Sequence, residues 1–157
     1  MASKRSILTA IVLGGVVAAT LDIGAAMLIS GAGLATILQF IASGLIGKAA
    51  FDGGTATAIL GAALQETMGL IIAAVFVSAS LAAPMLRRAW IAAGLAYGVV
   101  IYGVMNYVVM PLSAVGRVPT FSPEGLIKNG LAMLAFGLII AWFAQRGLQD
   151  DAPRGPA

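Results

Sequence analysis

The sequence predicts an all-α integral membrane protein: a four-helix bundle with a short extra helix between the first and second spans. Three observations carry that prediction. Only 10% of the 157 residues are charged, against about a quarter in a soluble domain, and mean hydropathy is +1.02. Four apolar runs, 7–29, 55–83, 89–110 and 123–145, lie near the ~20 residues needed to cross a bilayer. Lysine and arginine then divide unevenly between the two sides those runs define. A chain of this length fits one domain.

The first run, 7–29, is broken only by Asp22. Lys4 and Arg5 precede it as they would a signal peptide, but it exceeds the roughly 7–15 residues of a signal core. Its stripe of small residues also continues past any cleavage point. The connection that follows, Ser30 to Gly54, holds Leu34, Ile37, Leu38, Ile41 and Leu45 at helical spacing. That pattern predicts a short amphipathic helix over about 34–46, either interfacial or re-entrant. The second run, 55–83, contains Glu66, and a tight turn with Pro84 leads into the third, 89–110. The fourth, 123–145, has a strong start signal. Ser122 can cap it, Pro123 suits the first helical position, and Glu124 suits the positive helix end. Residues 146–157 read as a disordered, cytoplasmic polar tail.

With four spans, both termini share a side with Lys4, Arg5, Arg87, Arg88, Arg146 and Arg154, while Lys48, Arg117 and Lys128 face the other. Positive charge is retained on the cytoplasmic side, so both termini are expected there. Trp90, Trp142 and Tyr107 fall near span ends, where interfacial aromatics anchor a helix.

The residue census bounds the chemistry. With no cysteine and no histidine, the chain has no disulfides, no thiol nucleophile and no imidazole base. Zinc, haem and iron–sulfur centres lose their usual ligands, and a Ser–His–Asp triad is excluded. No catalytic residue, metal site or cofactor is therefore expected. The net charge of +3 does not point to nucleic acid. Gly47-Lys48 is not a phosphate loop, because Ala49 and Ala42 stand where the motif needs Ser or Thr and Gly.

Small residues recur every fourth position: Gly14, Ala18 and Ala26 around Asp22, then Ala58 and Ala62 before Glu66, then Gly94 and Gly98 before Tyr102 and Asn106. Such faces let transmembrane backbones approach closely, so Gly14, Ala18, Ala62, Gly94 and Gly98 are expected packing positions. The polar residues share these faces and should point into the bundle. At ~1.5 Å per residue, Asp22, Glu66, Tyr102, Asn106, Lys128 and Asn129 all fall roughly 4–10 Å outward of the midplane. With Gln65 they make a candidate polar pocket, whose carboxylates have three routes to relief: pairing of one with Lys128, protonation of one, or water entering from the outer face.

The stretches "LQFIASGLIGKAAFDGGTATAILGAALQ" and "YGVVIYGVMNYVVMPLSAVGR" resemble an uncharacterised family of small bacterial inner-membrane proteins, distantly similar to the YagU-type membrane proteins. The resemblance covers roughly residues 20–141. It implies four spans in a bacterial inner membrane and no established reaction. Members often carry a histidine in the second span, near the position of Gln65, and another in the fourth; this chain has neither.

Three function classes follow. The leading one is a non-catalytic accessory or stabilising component of the membrane, alone, as a homo-oligomer or within a larger membrane complex. The second is a small oligomeric proton- or cation-linked transporter or channel using Glu66 and Asp22. The third is a binder of a lipid-soluble molecule.

Overall fold

The computed structural model describes residues 3–149. Among them the chain is all-helical: α1 (Lys4–Ser30), α2 (Leu34–Ile46), α3 (Gly54–Ala82), α4 (Met85–Arg88), α5 (Trp90–Val104), α6 (Met110–Leu112) and α7 (Pro123–Gln149). Five segments are long and apolar enough to cross a membrane: α1, α3, α7, the run Trp90–Leu112, and α2 with its following 3₁₀ turn, Leu34–Phe51. The bundle exterior is apolar too, with Leu8, Ile59, Ile71, Val99 and Ile127 exposed, as a lipid environment allows.

Local chemistry sets the helix ends. Ser3 caps α1 by accepting from the Ser6 N–H at 3.1 Å. Gly31, at φ +70°, stops it and donates its N–H to Met27, the left-handed ending that glycine permits most cheaply. Ser122 accepts from the Gly125 N–H at 3.1 Å, as its position before Pro123 predicts. At its far end α7 continues to Gln149, so residues 146–149 belong to the helix rather than to the expected tail. The rest of that tail lies outside the described residues. Arg146 is held near the helix, its guanidinium 4.7 Å from the Trp142 ring centre.

The third run is not one uniform helix. Between α5 and α6 the stretch Met105–Val109 is a π-turn, and the Met110 N–H reaches back to the Met105 carbonyl. Pro111 supplies the reason. A proline ring clashes with the carbonyl four residues earlier and offers no N–H; widening the preceding turn moves that carbonyl aside.

The long helices are antiparallel neighbours. Along α1 and α3, Gly15 meets Gly69 and Leu70, and Gln65 reaches Ala19 and Asp22. Along α1 and α7, Ala10 meets Gly147 and Gly14 meets Phe143. Along α5 and α7, Gly94 meets Gly137 and Leu138, and Gly98 meets Met133 and Leu134. Ser30 and Gly54 consequently lie at the same end of the bundle. The intervening segment leaves from and returns to that end. α2 packs on α3, with the Leu38 backbone against Gly61. Its Gly44 carbonyl accepts from the Ala114 N–H at 2.8 Å, in the connection between α6 and α7.

The two ends differ in filling. At the basic end, which holds Lys4, Arg87 and Arg146, a closely packed core contains Ala10, Ala73, Phe76, Val77, Ile140 and Ala144. There α3 and α5 are bridged by side chains: Tyr97 donates its hydroxyl to the Ile72 carbonyl at 2.8 Å and stacks on Phe76 with ring centres 5.0 Å apart. Toward the far end the helices separate.

The expected packing positions Gly14, Ala18, Gly94 and Gly98 are buried. Ala62 is only half-buried; the close approach falls one residue earlier, at Gly61, because α2 crosses α3 there. A Cβ at Gly98 would stand 2.5 Å from the Met133 carbonyl oxygen, whereas Val99 is exposed. Gly98→Leu is expected to cost at least ~1–3 kcal/mol by overpacking, read as a clear fall in melting temperature in detergent. Val99→Leu is expected to leave that temperature nearly unchanged. Equal effects would remove the close-approach argument.

Candidate functional site

Where the helices separate, they leave between them a half-open cavity of about 820 Å³. α1 contributes Asp22 and Ala26, α3 contributes Gln65 and Met68, and α7 contributes Asn129 and Met133. Tyr102 of α5 and Asn106 of the π-turn line the fourth side, and α2 lies across it with Thr36, Ile37 and Phe40. Most of the wall is aliphatic or aromatic, with a few polar groups set into it. That is the usual make-up of a small-molecule site, and the volume falls within the usual ~300–1,000 Å³.

Asp22 and Gln65 form the floor. Gln65 Nε2 donates to Asp22 Oδ2 at 2.9 Å and, at 3.4 Å, to the Ala19 carbonyl. Beneath them a void of only about 30 Å³ separates the floor from Ile72, Ile101 and Phe136. Asn106 Nδ2 donates to the Tyr102 carbonyl at 2.8 Å, beside the Met105 N–H that the Ile101 and Tyr102 carbonyls share. Asn129 Nδ2 donates to the Gly125 carbonyl at 2.7 Å. Each asparagine amide is thus tied to its own helix by its nitrogen, whereas Gln65 reaches across to α1.

Five of the seven predicted pocket residues come together here: Asp22, Gln65, Tyr102, Asn106 and Asn129 all line the cavity. Glu66 and Lys128 do not. Glu66 follows Gln65 by one residue, about 100° around a helix with 3.6 residues per turn, and so faces the seam with α1. There Oε1 accepts from the Thr20 hydroxyl at 3.3 Å, and Oε2 is buried without a protein partner. Lys128 pairs with Glu124 and not with Asp22 or Glu66. The two are one turn apart on α7, where an (i, i+4) pair meets without help from any other element.

Sequence reasoning passed over the π-turn, Met68, and α2 as one wall of the site. The spacing Asn106 to Pro111 was the available signal for the first. Among the described residues no three His, Cys, Asp or Glu side chains gather as a metal would require. What the arrangement offers chemically is recognition: one carboxylate and several amide oxygens at the base of an apolar chamber.

The two charged contacts predict different sensitivities. Gln65→Leu removes the one side-chain hydrogen bond to the half-buried Asp22 carboxylate among the described residues, and is expected to destabilise by about 1–3 kcal/mol, the cost of leaving a polar group without its partner. Lys128→Gln breaks only an exposed pair within one helix, and its melting temperature is expected to match the wild type within error. A large loss for Lys128→Gln would mean that its ammonium serves the cavity after all.

Comparison with protein-family models, with curated proteins and with solved structures finds no match.

Proposed function

We propose that this protein is a non-catalytic, multi-pass component of a bacterial inner membrane that holds a lipid-soluble molecule between its helices. The observation that carries the reading is the cavity of about 820 Å³ with the Asp22–Gln65 pair at its base. A ligand there would be enclosed largely by apolar side chains and oriented by the polar floor. The role as an accessory or stabilising component remains, with the bound molecule as what it holds.

Four crossings fit this reading best. α1 and α3 are antiparallel neighbours, so Ser30 and Gly54 share an end, and α2 with its 3₁₀ turn is a re-entrant or interfacial element at that end. The Lys/Arg asymmetry favours cytoplasmic termini and an outward-facing cavity. The transport reading, built on Glu66 and Asp22 together, draws less support. The two carboxylates face different surroundings, and the basic half is closely packed with Phe76, Val77 and Ile140.

The topology is tested with single cysteines and an impermeant thiol reagent on intact cells. Cysteines at Gly33, Asp52 and Ser113 are expected to react, and one at Ala83 to stay protected. Protection at only one of Gly33 and Asp52 would mean that α2 crosses; labelling of Ala83 alone would reverse the orientation.

The cavity is tested by native mass spectrometry of protein purified in a neutral detergent. One bound non-protein molecule is expected in the wild type, and none in Ala132→Trp, which fills the chamber. A wild type that carries nothing, and whose melting temperature no added apolar amphiphile raises, would overturn the proposal.

A further inference from the structure

We infer that the cavity selects a lipophilic primary ammonium: a cationic amine head on an apolar body. The inference rests on the cavity being a binding site, and it follows from which polar atoms the wall leaves free. The amide nitrogens of Gln65, Asn106 and Asn129 all donate to the protein itself, to Asp22, the Tyr102 carbonyl and the Gly125 carbonyl. Reversing any of these amides would set an oxygen against another acceptor, so the network assigns their orientation. Each therefore leaves its oxygen for a ligand. Ser30 and Ser113 likewise donate their hydroxyls to the Ala26 and Met110 carbonyls. The amide oxygens are thus open acceptors, while the second N–H of Asn106 and of Asn129 and the hydroxyls of Tyr102, Thr36 and Thr120 remain as neutral donors. The sign of the site is set by the one carboxylate on its wall among the described residues, Asp22.

Charge points the same way. Among the described residues Asp22 is the only acidic side chain on the wall, and no Lys or Arg lines it. Gln65 satisfies Oδ2 alone, and Oδ1 has no protein partner among the described residues. The nearest candidate cation by sequence, Lys128, is engaged by Glu124. A carboxylate lodged among apolar helices is stabilised chiefly by an opposite charge that also donates hydrogen bonds. An alkylammonium has three N–H donors and no acceptor, the complement of Asp22 Oδ1 and the amide oxygens. Phe40 and Tyr102, also on the wall, add ring faces that attract a cation. A carboxylate or phosphate head would meet Asp22 with no compensating cation, so fatty acids and anionic phospholipid heads are disfavoured.

The test uses three probes of equal chain length, dodecylamine, dodecanol and dodecanoate, added at pH 7 to the purified full-length protein in a neutral detergent. Native mass spectrometry reads the occupancy of each. The wild type is expected to bind one dodecylammonium, with dodecanol and dodecanoate each at least about ten-fold weaker, the loss expected of one charge-assisted hydrogen bond. Asp22→Asn is expected to reduce the ammonium to the level of the alcohol and leave the alcohol unchanged. If the three probes bind alike in the wild type, or Asp22→Asn leaves the amine's advantage intact, the ammonium inference is overturned while the cavity stands as a site. If none binds, and Ala132→Trp gives the same spectra as the wild type, the cavity reading falls and takes this inference with it. The head-group order in the wild type decides the matter even if Asp22→Asn does not fold.

Discussion

Backbone contact between helices at glycine is the constraint on which the rest of this structure depends. Gly15 lies against Gly69, and Gly137 lies against Gly94 and Gly98, closely enough that a Cβ at Gly137 would meet backbone atoms of both partners. In the membrane we propose for them, helices this apolar would gain nothing by hiding from lipid, and association would rest on van der Waals contact and a few interhelical hydrogen bonds. Small residues supply the first by removing the side chains that would hold the axes apart. The hydrogen bonds from Tyr97 to Ile72 and from Gln65 to Ala19 supply the second. Because these clamps sit at mid-height and toward the basic end, that half is fixed. The far half is left to the shape of its side chains.

That division explains both the filled core and the cavity. The basic half carries Phe76, Val77, Phe136 and Ile140, which occupy the space between the helices. Past the Asp22–Gln65 floor the wall includes Ala26, Ala32, Gly44, Gly125 and Ala132, which are too small to meet across it. α2 then closes one side. It is fastened at three points: Gln39 donates to the Gly54 carbonyl at 3.2 Å, Leu38 packs on Gly61, and Gly44 accepts from Ala114. The π-turn acts on the opposite side, turning Asn106 into the chamber while its nitrogen stays bonded to Tyr102.

Much of this was legible in the sequence, and the limits have physical causes. Helix positions follow from hydropathy and capping, and they agree with the structure to within a few residues except at the end of α7, where Arg146 on Trp142 extends a helix that composition alone would stop. The grouping of Asp22, Tyr102, Asn106 and Asn129 toward one end was legible as well, because rise per residue is fixed, and all four line the cavity. Azimuth was harder. Glu66 and Gln65 differ by one position, and which of them faces the cavity depends on how α1 and α2 pack around α3. That is decided by Gly15, Gly61 and Gly69 acting together, and no single-helix pattern contains it. Lys128 shows a different limit. A depth estimate brings it level with two carboxylates but is blind to Glu124 one turn away, and the local pair forms without ordering anything else.

The same local economy shapes the hydrogen-bonding character of the site. An asparagine in an apolar helix can turn its amide nitrogen back to a carbonyl one turn earlier, and both Asn106 and Asn129 do so. Doing so satisfies a donor that would otherwise be stranded in an apolar chamber. It also leaves the amide oxygen without a part in that bond, since only the nitrogen can donate to a carbonyl. Gln65 follows the same rule with a carboxylate as its acceptor. Three amides that each minimise their own cost thus leave three amide oxygens on the wall, around a carboxylate with one oxygen unpartnered among the described residues. The inferred selectivity for a donor head group arises from hydrogen bonds within a helix at Asn106 and Asn129 and across the α1–α3 seam at Gln65, and the glycine clamps hold those helices around one cavity.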